Sequence, residues 1–234
     1  DASGNVATTY TGDKTLTFSG ATASPNPVTN PTITDKNSAL INFGTGTVIT
    51  FTTGAAINVV LTVYKAESAT INASDGAINS NTGGTLNVTV SSSTMTKLAV
   101  SLASPQINGT AFTGTNTLTA QDAYGNVVTG FNASTNNVTV SSSLTGSITG
   151  LSGTNKLNGA GDFSSGVADL TSLGLMFTGT SGSGSFTFSP ATGAPVSSSA
   201  ITVNPGSATK LIITGSGTQT AGVGQTITIT AKDR

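Results

Sequence analysis

The sequence predicts an all-β protein built as tandem antiparallel β-sandwiches, and three observations lead there. Apolar and polar residues alternate with period two through segments such as Leu86-Asn87-Val88-Thr89-Val90 and Leu98-Ala99-Val100-Ser101-Leu102, as in strands that bury one face. Helical spacing is almost nowhere supported. Finally, short motifs recur in constant order about 112 residues apart, which suits a sandwich domain and is far too long for a solenoid turn.

The repeat is read most easily from Asp-Ala-x-Gly-Asn, which stands at Asp1-Ala2-Ser3-Gly4-Asn5 and again at Asp122-Ala123-Tyr124-Gly125-Asn126. A third copy begins at Asp233. Other landmarks keep the same register. Phe51-Thr52-Thr53-Gly54 returns as Phe163-Ser164-Ser165-Gly166, and Thr96-Lys97-Leu98 as Thr209-Lys210-Leu211. Leu118-Thr119-Ala120-Gln121-Asp122 returns as Ile229-Thr230-Ala231-Lys232-Asp233. Residues 1–95 are therefore expected to form a repeat without its first two strands, 96–208 a complete repeat, and 209–234 the first two strands of a further one. The sequence is expected to be a window on a longer array.

In chain order, the first repeat offers the run Val59-Val60-Leu61-Thr62-Val63-Tyr64 and the alternation at 86–90. The complete repeat enters on a strand at 97–102, continues at 115–120, turns at 122–126 and resumes at 136–141. Residues 141–162 are rich in Gly and Ser and read equally as an ordered loop or as extra strands. Further strands are expected at 166–170, 174–178, 185–189 and 200–203 before the turn-forming linker Asn204-Pro205-Gly206. The run Thr226-Ile227-Thr228-Ile229-Thr230 supplies the last one.

Composition narrows the function. Charged residues are 7% of the chain against about 25% in an ordinary globular domain, while Ser and Thr make up 75 of the 234 residues. β-Branched residues are abundant and net charge is only −1, so the chain is ordered β structure coated with Thr, Ser and Asn rather than disordered. A net charge near zero gives no footprint for nucleic acid or an acidic membrane. No stretch has the length of a membrane span, so no membrane insertion is expected in this segment. Cysteine is absent, and each core of about 110 residues is large enough to fold without disulfides.

Ala208-Thr209-Lys210-Leu211, Leu118-Thr119-Ala120-Gln121, the turn at 122–126 and the run Leu61-Thr62-Val63-Tyr64-Lys65-Ala66-Glu67 together resemble bacterial immunoglobulin-like repeats of the invasin type. Such modules are strung in tandem in large cell-surface proteins, adhesins and some S-layer proteins. The resemblance implies immunoglobulin-like sandwiches located outside the cell and used for reach, spacing or assembly. The second repeat departs from it where Leu175-Met176-Phe177-Thr178 replaces the Tyr-Lys-Ala-Glu run.

The Asp-Ala-x-Gly-Asn motif has a structural reading, in which Gly takes positive φ and Asp and Asn close a turn onto their own backbone. The competing reading is a calcium site in which Asp1, Asn5, Asp122 and Asn126 supply oxygen ligands; no other cofactor is expected. Lys65 and Glu67 read as a solvated ion pair rather than as parts of a Lys–Asn cross-link. The five Asn-x-Ser/Thr sites, at Asn72, Asn87, Asn108, Asn132 and Asn137, are no more than this composition produces by chance. Without His or Cys the Ser-His and Cys-His nucleophile systems are excluded, zinc has no usual ligands, and no carboxylate pair stands out for glycoside hydrolysis. No enzyme activity is expected. Tyr10, Tyr64 and Tyr124 are the aromatic residues with a polar tip for stacking on sugars, with Tyr64 expected in the core and Tyr124 exposed in its turn.

The expected role is therefore an extracellular structural module whose partners are neighbouring repeats or copies, end to end. Two alternatives stand beside it. One is a filament subunit that polymerises by passing its C-terminal strands into the first domain of the next chain. The other is an adhesin domain that binds a host surface or glycan ligand.

Overall fold

The computed structural model describes residues 4–81 and 83–233. Among them there is no helix, and 21 strands carry the fold, so the all-β expectation holds. The chain forms two compact units. One comprises residues 4–94 together with Gln121–Val128, the other Met95–Ala120 together with residues 129–233. Sequence repeats and compact units are thus offset by one turn: after Ala120 the chain contributes Gln121–Val128 to the first unit, then resumes the second at Thr129.

The first unit contains β1 (Gly12–Ser19), β2 (Thr32–Thr34), β3 (Leu40–Asn42), β4 (Thr47–Phe51), β5 (Leu61–Thr62), β6 (Ser68–Ser74) and β7 (Leu86–Thr89). One sheet has the order β4-β1-β6-β7 and the other β3-β2-β5. Period-two alternation sends Ile49, Ala69 and Ile71 inward from the first sheet and Ile33 from the second, and all four are buried. Phe18 and Leu61, which face the same interior, stay half-buried. A groove of about 280 Å³ lined by Phe18, Ile33, Val59, Leu61, Ile71 and Leu86 runs beside them.

The second unit contains β8 (Lys97–Ser101), β9 (Gln106–Ile107), β10 (Thr117–Gln121), β11 (Val138–Ser142), β12 (Gly146–Thr149), β13 (Lys156–Leu157) and β14 (Val167–Asp169). It continues with β15 (Met176–Gly179), β16 (Gly182–Gly184), β17 (Phe186–Pro190), β18 (Val196–Ser197), β19 (Ile201–Asn204), β20 (Lys210–Thr214) and β21 (Thr228–Lys232). Its sheet β13-β11-β17-β18 repeats the plan of β4-β1-β6-β7, and β12-β15 repeats β2-β5. The matching pairs are Ile33↔Leu61 and Ile148↔Phe177. Residues 141–162, open between loop and strands in the sequence, include β12 and β13.

Two further sheets, β14-β10-β8 and β16-β19-β9, occur in the second unit. Leu98, Leu118 and Ala120 on β8 and β10 are buried. Phe112, between β9 and β10, is 1% exposed and meets Phe186 edge-on at 5.3 Å, while Phe186 meets Phe177 at 5.7 Å. Such edge-to-face contacts add about 0.5–1.5 kcal/mol beyond area burial.

One pairing departs from the antiparallel rule. β19 lies parallel to β9, with Val203 opposite Gln106, and a parallel bridge joins Lys97 to Ala194. Strands from the start and end of the repeat therefore run side by side in the same direction, which brings the chain in at one end of the unit and out at the other.

β20 and β21 pair antiparallel from Lys210↔Lys232 to Thr214↔Thr228, and every residue of both is exposed. Leu211 is 69% exposed and Ile229 57%, whereas their counterparts Leu98 and Leu118 are 5% and 0%.

Candidate functional site

The most organised polar constellation lies at the Asp122–Asn126 turn, inside the first unit. Gly125 takes φ +81°, and Asp122 and Asn126 join across the turn through Asp122 N–H to the Asn126 carbonyl at 3.0 Å. Asp122 Oδ1 accepts the N–H groups of Tyr124 and Asn126, each at 2.9 Å. Its Oδ2 accepts the Asn126 side-chain amide at 2.9 Å and the Ser93 N–H at 3.0 Å. Burial pushes the Asp122 carboxyl up, but the Asn126 amide and the N–H groups of Ser93, Asn126 and Tyr124 together hold it below its ordinary value.

Asn126 ties the turn to the strand end that carries the Tyr-Lys-Ala-Glu run. Its Oδ1 accepts the Ala66 N–H and its Nδ2 donates to the Tyr64 carbonyl, each at 2.8 Å. Tyr64 and Tyr124 pack with ring centroids 5.0 Å apart. Tyr124 is therefore half-buried, not exposed as expected, because the turn lies against the first unit and gives the ring a partner. The Tyr124 carbonyl accepts the Asn26 N–H at 3.0 Å. Gly125 comes so near that a Cβ there would lie 2.7 Å from the Asn26 carbonyl oxygen.

Lys65 and Glu67 form an ion pair at 3.1 Å. Glu67 also accepts the Thr22 N–H and hydroxyl, each at 2.7 Å. Desolvation raises its carboxyl, and the Thr22 and Lys65 contacts outweigh that and lower it. Glu67 is more enclosed than a solvated pair would be, with 18% of its side chain exposed.

A second copy of the aspartate contact occurs in the second unit. Asp233 Oδ2 accepts the Gly206 N–H at 2.9 Å and the Asn108 side-chain amide at 2.8 Å. These two donors, the Asn108 amide foremost, hold the Asp233 carboxyl low. Ser93 and Gly206 are 113 residues apart and Asp122 and Asp233 are 111 apart: the aspartate that opens a motif grips the linker N–H that precedes the repeat. Sequence reasoning missed Ser93, Gly206 and Asn108. The first two were recoverable, because they occupy the same place in successive linkers.

Of the four residues offered for calcium, Asp1 lies outside the described residues and Asn5 is exposed. Asp122 and Asn126 meet, but through an amide N–H turned toward the carboxylate. With four donors the Asp122 carboxylate already reaches roughly its full accepting capacity. Among the described residues no group of three or more acidic side chains gathers as a metal site. Tyr64 and Tyr124 are both half-buried and pack on each other at a tilt of 53°, and Tyr10 donates to Asp75 Oδ2 at 2.7 Å. Asn108, one of the glycosylation sequons, is 5% exposed with its amide committed to Asp233.

No protein-family model matches the chain, and no curated protein matches it. Among solved structures, domains 4–9 of the surface layer protein SbsC align with 94% of this chain and 36% of theirs at 18% identity and TM-score 0.32. Domains 4 and 5 of the same protein align with 82% of this chain and 98% of theirs at 18% identity and TM-score 0.29. A β-glycosidase from Bacteroides vulgatus aligns with 81% of this chain and 25% of its own at 12% identity and TM-score 0.32. This chain thus spans about a third of the first of these structures.

Proposed function

We propose that the chain is a structural segment of an extracellular tandem-repeat protein, of the adhesin or S-layer kind, whose sandwich units give reach and spacing at a cell surface. The repeated aspartate contact is the observation that carries this reading. Asp122 holds Ser93 and Asp233 holds Gly206 at the same point of successive repeats, so each linker is fixed by the repeat that follows it. Parallel pairing of β9 with β19 supports it too, because a unit entered at one end and left at the other can be strung in line. A coat of Thr, Ser and Asn with few charges fits a surface role that recruits neither nucleic acid nor membrane. The partners are neighbouring repeats of the same kind, and the immunoglobulin-like resemblance belongs to this reading.

Trypsin applied to intact cells producing the native protein is expected to release peptides of this chain, which carries lysines in both units. Recovery of those peptides only after lysis would overturn the surface assignment.

A second reading, the filament subunit, is favoured by one specific observation. β20 and β21 leave Leu211, Ile213 and Ile229 exposed, while the groove beside Ile33 and Ile71 leaves the first unit incompletely closed. Assembly would cover both.

A further inference from the structure

We propose that the outer edge of β12 is a docking site for an extended, uncharged polypeptide strand of a partner protein, which adds antiparallel to β12 with an apolar side chain opposite Ile148. The proposal goes beyond the structural role and draws only on the second unit and its correspondence with the first. Among the described residues β12 pairs with β15 alone, in a register from Gly146↔Gly179 to Thr149↔Met176. One position further out, the Thr180 N–H donates to the Thr145 carbonyl at 2.8 Å. Bonding residues alternate along an antiparallel pair. Thr145, Ser147 and Thr149 therefore turn their main-chain groups to β15, while Gly146 and Ile148 turn theirs away.

In the first unit the same position is filled. Ile33, the counterpart of Ile148, lies opposite Ile41 on β3. The Asp35 N–H donates to the Ala39 carbonyl at 2.9 Å and the Phe43 N–H to the Pro31 carbonyl at 3.0 Å, continuing that ladder on either side. β3 arises within residues 35–46, which join β2 to β4. The corresponding connection in the second unit, residues 150–155, is shorter and forms only the Leu151↔Thr154 bridge. A cleft of about 510 Å³ is left there, bordered by Ser141, Ser142, Gly146, Ile148, Thr149 and Asn155. Every lining residue is uncharged, and β12 has neither the Lys nor the Pro that commonly guards an exposed edge. Thr149 Oγ1 is shielded from water and has no hydrogen-bond partner. β3 shows what suits the place: Ala39-Leu40-Ile41-Asn42-Phe43 is uncharged and sets Ile41 against the buried Ile33. An added strand of this kind satisfies the main-chain groups that Gly146 and Ile148 present. A following repeat docks elsewhere. The turn at 122–126 bonds to Asn26, Tyr64, Ala66 and Ser93, none of which lies on β2 or β3.

The chain has no cysteine, so a site-specific cross-link can read the register directly. Asn42 lies opposite Thr32, so the matching residue of an added strand lies opposite Ser147. Residues directly opposite each other in an antiparallel pair have Cα atoms about 4.5–5.5 Å apart, within the roughly 4.4–6.8 Å span of a disulfide. The full chain carrying Ser147→Cys is mixed under mild oxidation with a peptide of the sequence Ser38–Gly44 carrying Asn42→Cys. The mixed disulfide is expected to form about tenfold or more faster than with a Thr202→Cys chain, whose thiol is exposed on β19, because docking raises the effective concentration of the peptide thiol. Adding Ile41→Pro to the peptide removes the N–H that the Ile148 carbonyl would accept, and should return the rate to that of the Thr202→Cys control. Equal rates at the two chain positions, or cross-linking that the proline peptide retains, would overturn the proposal. So would a Ser147→Cys chain that forms disulfide dimers with itself faster than it takes the peptide, since that gives the edge to a second copy. None of these outcomes touches the surface assignment, which the protease experiment reads independently.

Discussion

The first unit buries four apolar side chains among the described residues, Ile33, Ile49, Ala69 and Ile71, and the second buries twenty. Their four-stranded sheets share one order and their smaller sheets share one register. One difference between them is the segment from β8 to β10. In the second unit it places Leu118 and Ala120 against β14 and sets Phe112 on Phe186. In the first unit the corresponding space is bordered by the half-buried Phe18 and Leu61. Leu98, Phe112, Leu118 and Ala120 are the buried apolar side chains of that segment, and each fully buried aliphatic or aromatic side chain contributes about 1.5–3 kcal/mol.

The placement of the tyrosines lets the two be watched separately. Tyr10, Tyr64 and Tyr124 all belong to the first unit, and the chain has no tryptophan. Tyrosine fluorescence thus reports the first unit alone, whereas circular dichroism reports both.

The largest effect is expected from Phe112→Ala, which should cost about 3–5 kcal/mol in the circular dichroism transition and leave the tyrosine transition unmoved. An equal shift in both signals would contradict the assignment of Phe112 to one core. Next is Gly125→Ala, which combines positive φ with a Cβ 2.7 Å from the Asn26 carbonyl oxygen. It should lower the tyrosine midpoint by about 1–3 kcal/mol in free energy. Gly4→Ala has nearly the same φ, +79°, but no atom within 4 Å, so it should cost less. Equal costs would show that backbone conformation, not contact with Asn26, decides.

A smaller effect is expected from pH. The Asp122 carboxyl sits below the ordinary value of 3.8 in the folded unit, so the stability it contributes is present above that value and is lost as pH falls through the lower folded one. The tyrosine transition should weaken as the solution is acidified below about pH 4, and Asp122→Asn should flatten that dependence; an unchanged slope would argue against the Ser93 and Tyr124 contacts. The smallest effect is expected from calcium. With the Asp122 oxygens engaged by four donors, a chelator should leave both transitions in place, and a shift in the tyrosine signal would support the calcium reading of the turn instead.

Much of this architecture was legible in the sequence, for identifiable reasons. β8, β10, β11, β17 and β19 have three or more alternating residues, enough for period two to register. β9, β13 and β18 are two residues long, and β16 is Gly-Ser-Gly, too little for any pattern. The turn at 122–126 was recognisable from Gly and its flanking Asp and Asn, since the requirement for positive φ is local. Its partners were not. Ser93, Ala66 and Asn26 are 29, 60 and 98 or more residues from the groups they meet, and only the fold brings them together. Tyr124 was misread for the same reason, because exposure depends on Tyr64 and not on its neighbours in the chain.

The account stands most directly on urea unfolding followed at low chain concentration by tyrosine fluorescence and far-ultraviolet circular dichroism together. The first unit, with four buried apolar side chains against twenty, should lose its tyrosine signal at a lower urea midpoint, with a second transition seen by circular dichroism alone. A single transition with coincident midpoints, or a tyrosine signal that outlasts the circular dichroism change, would contradict the division into two units with cores of different size.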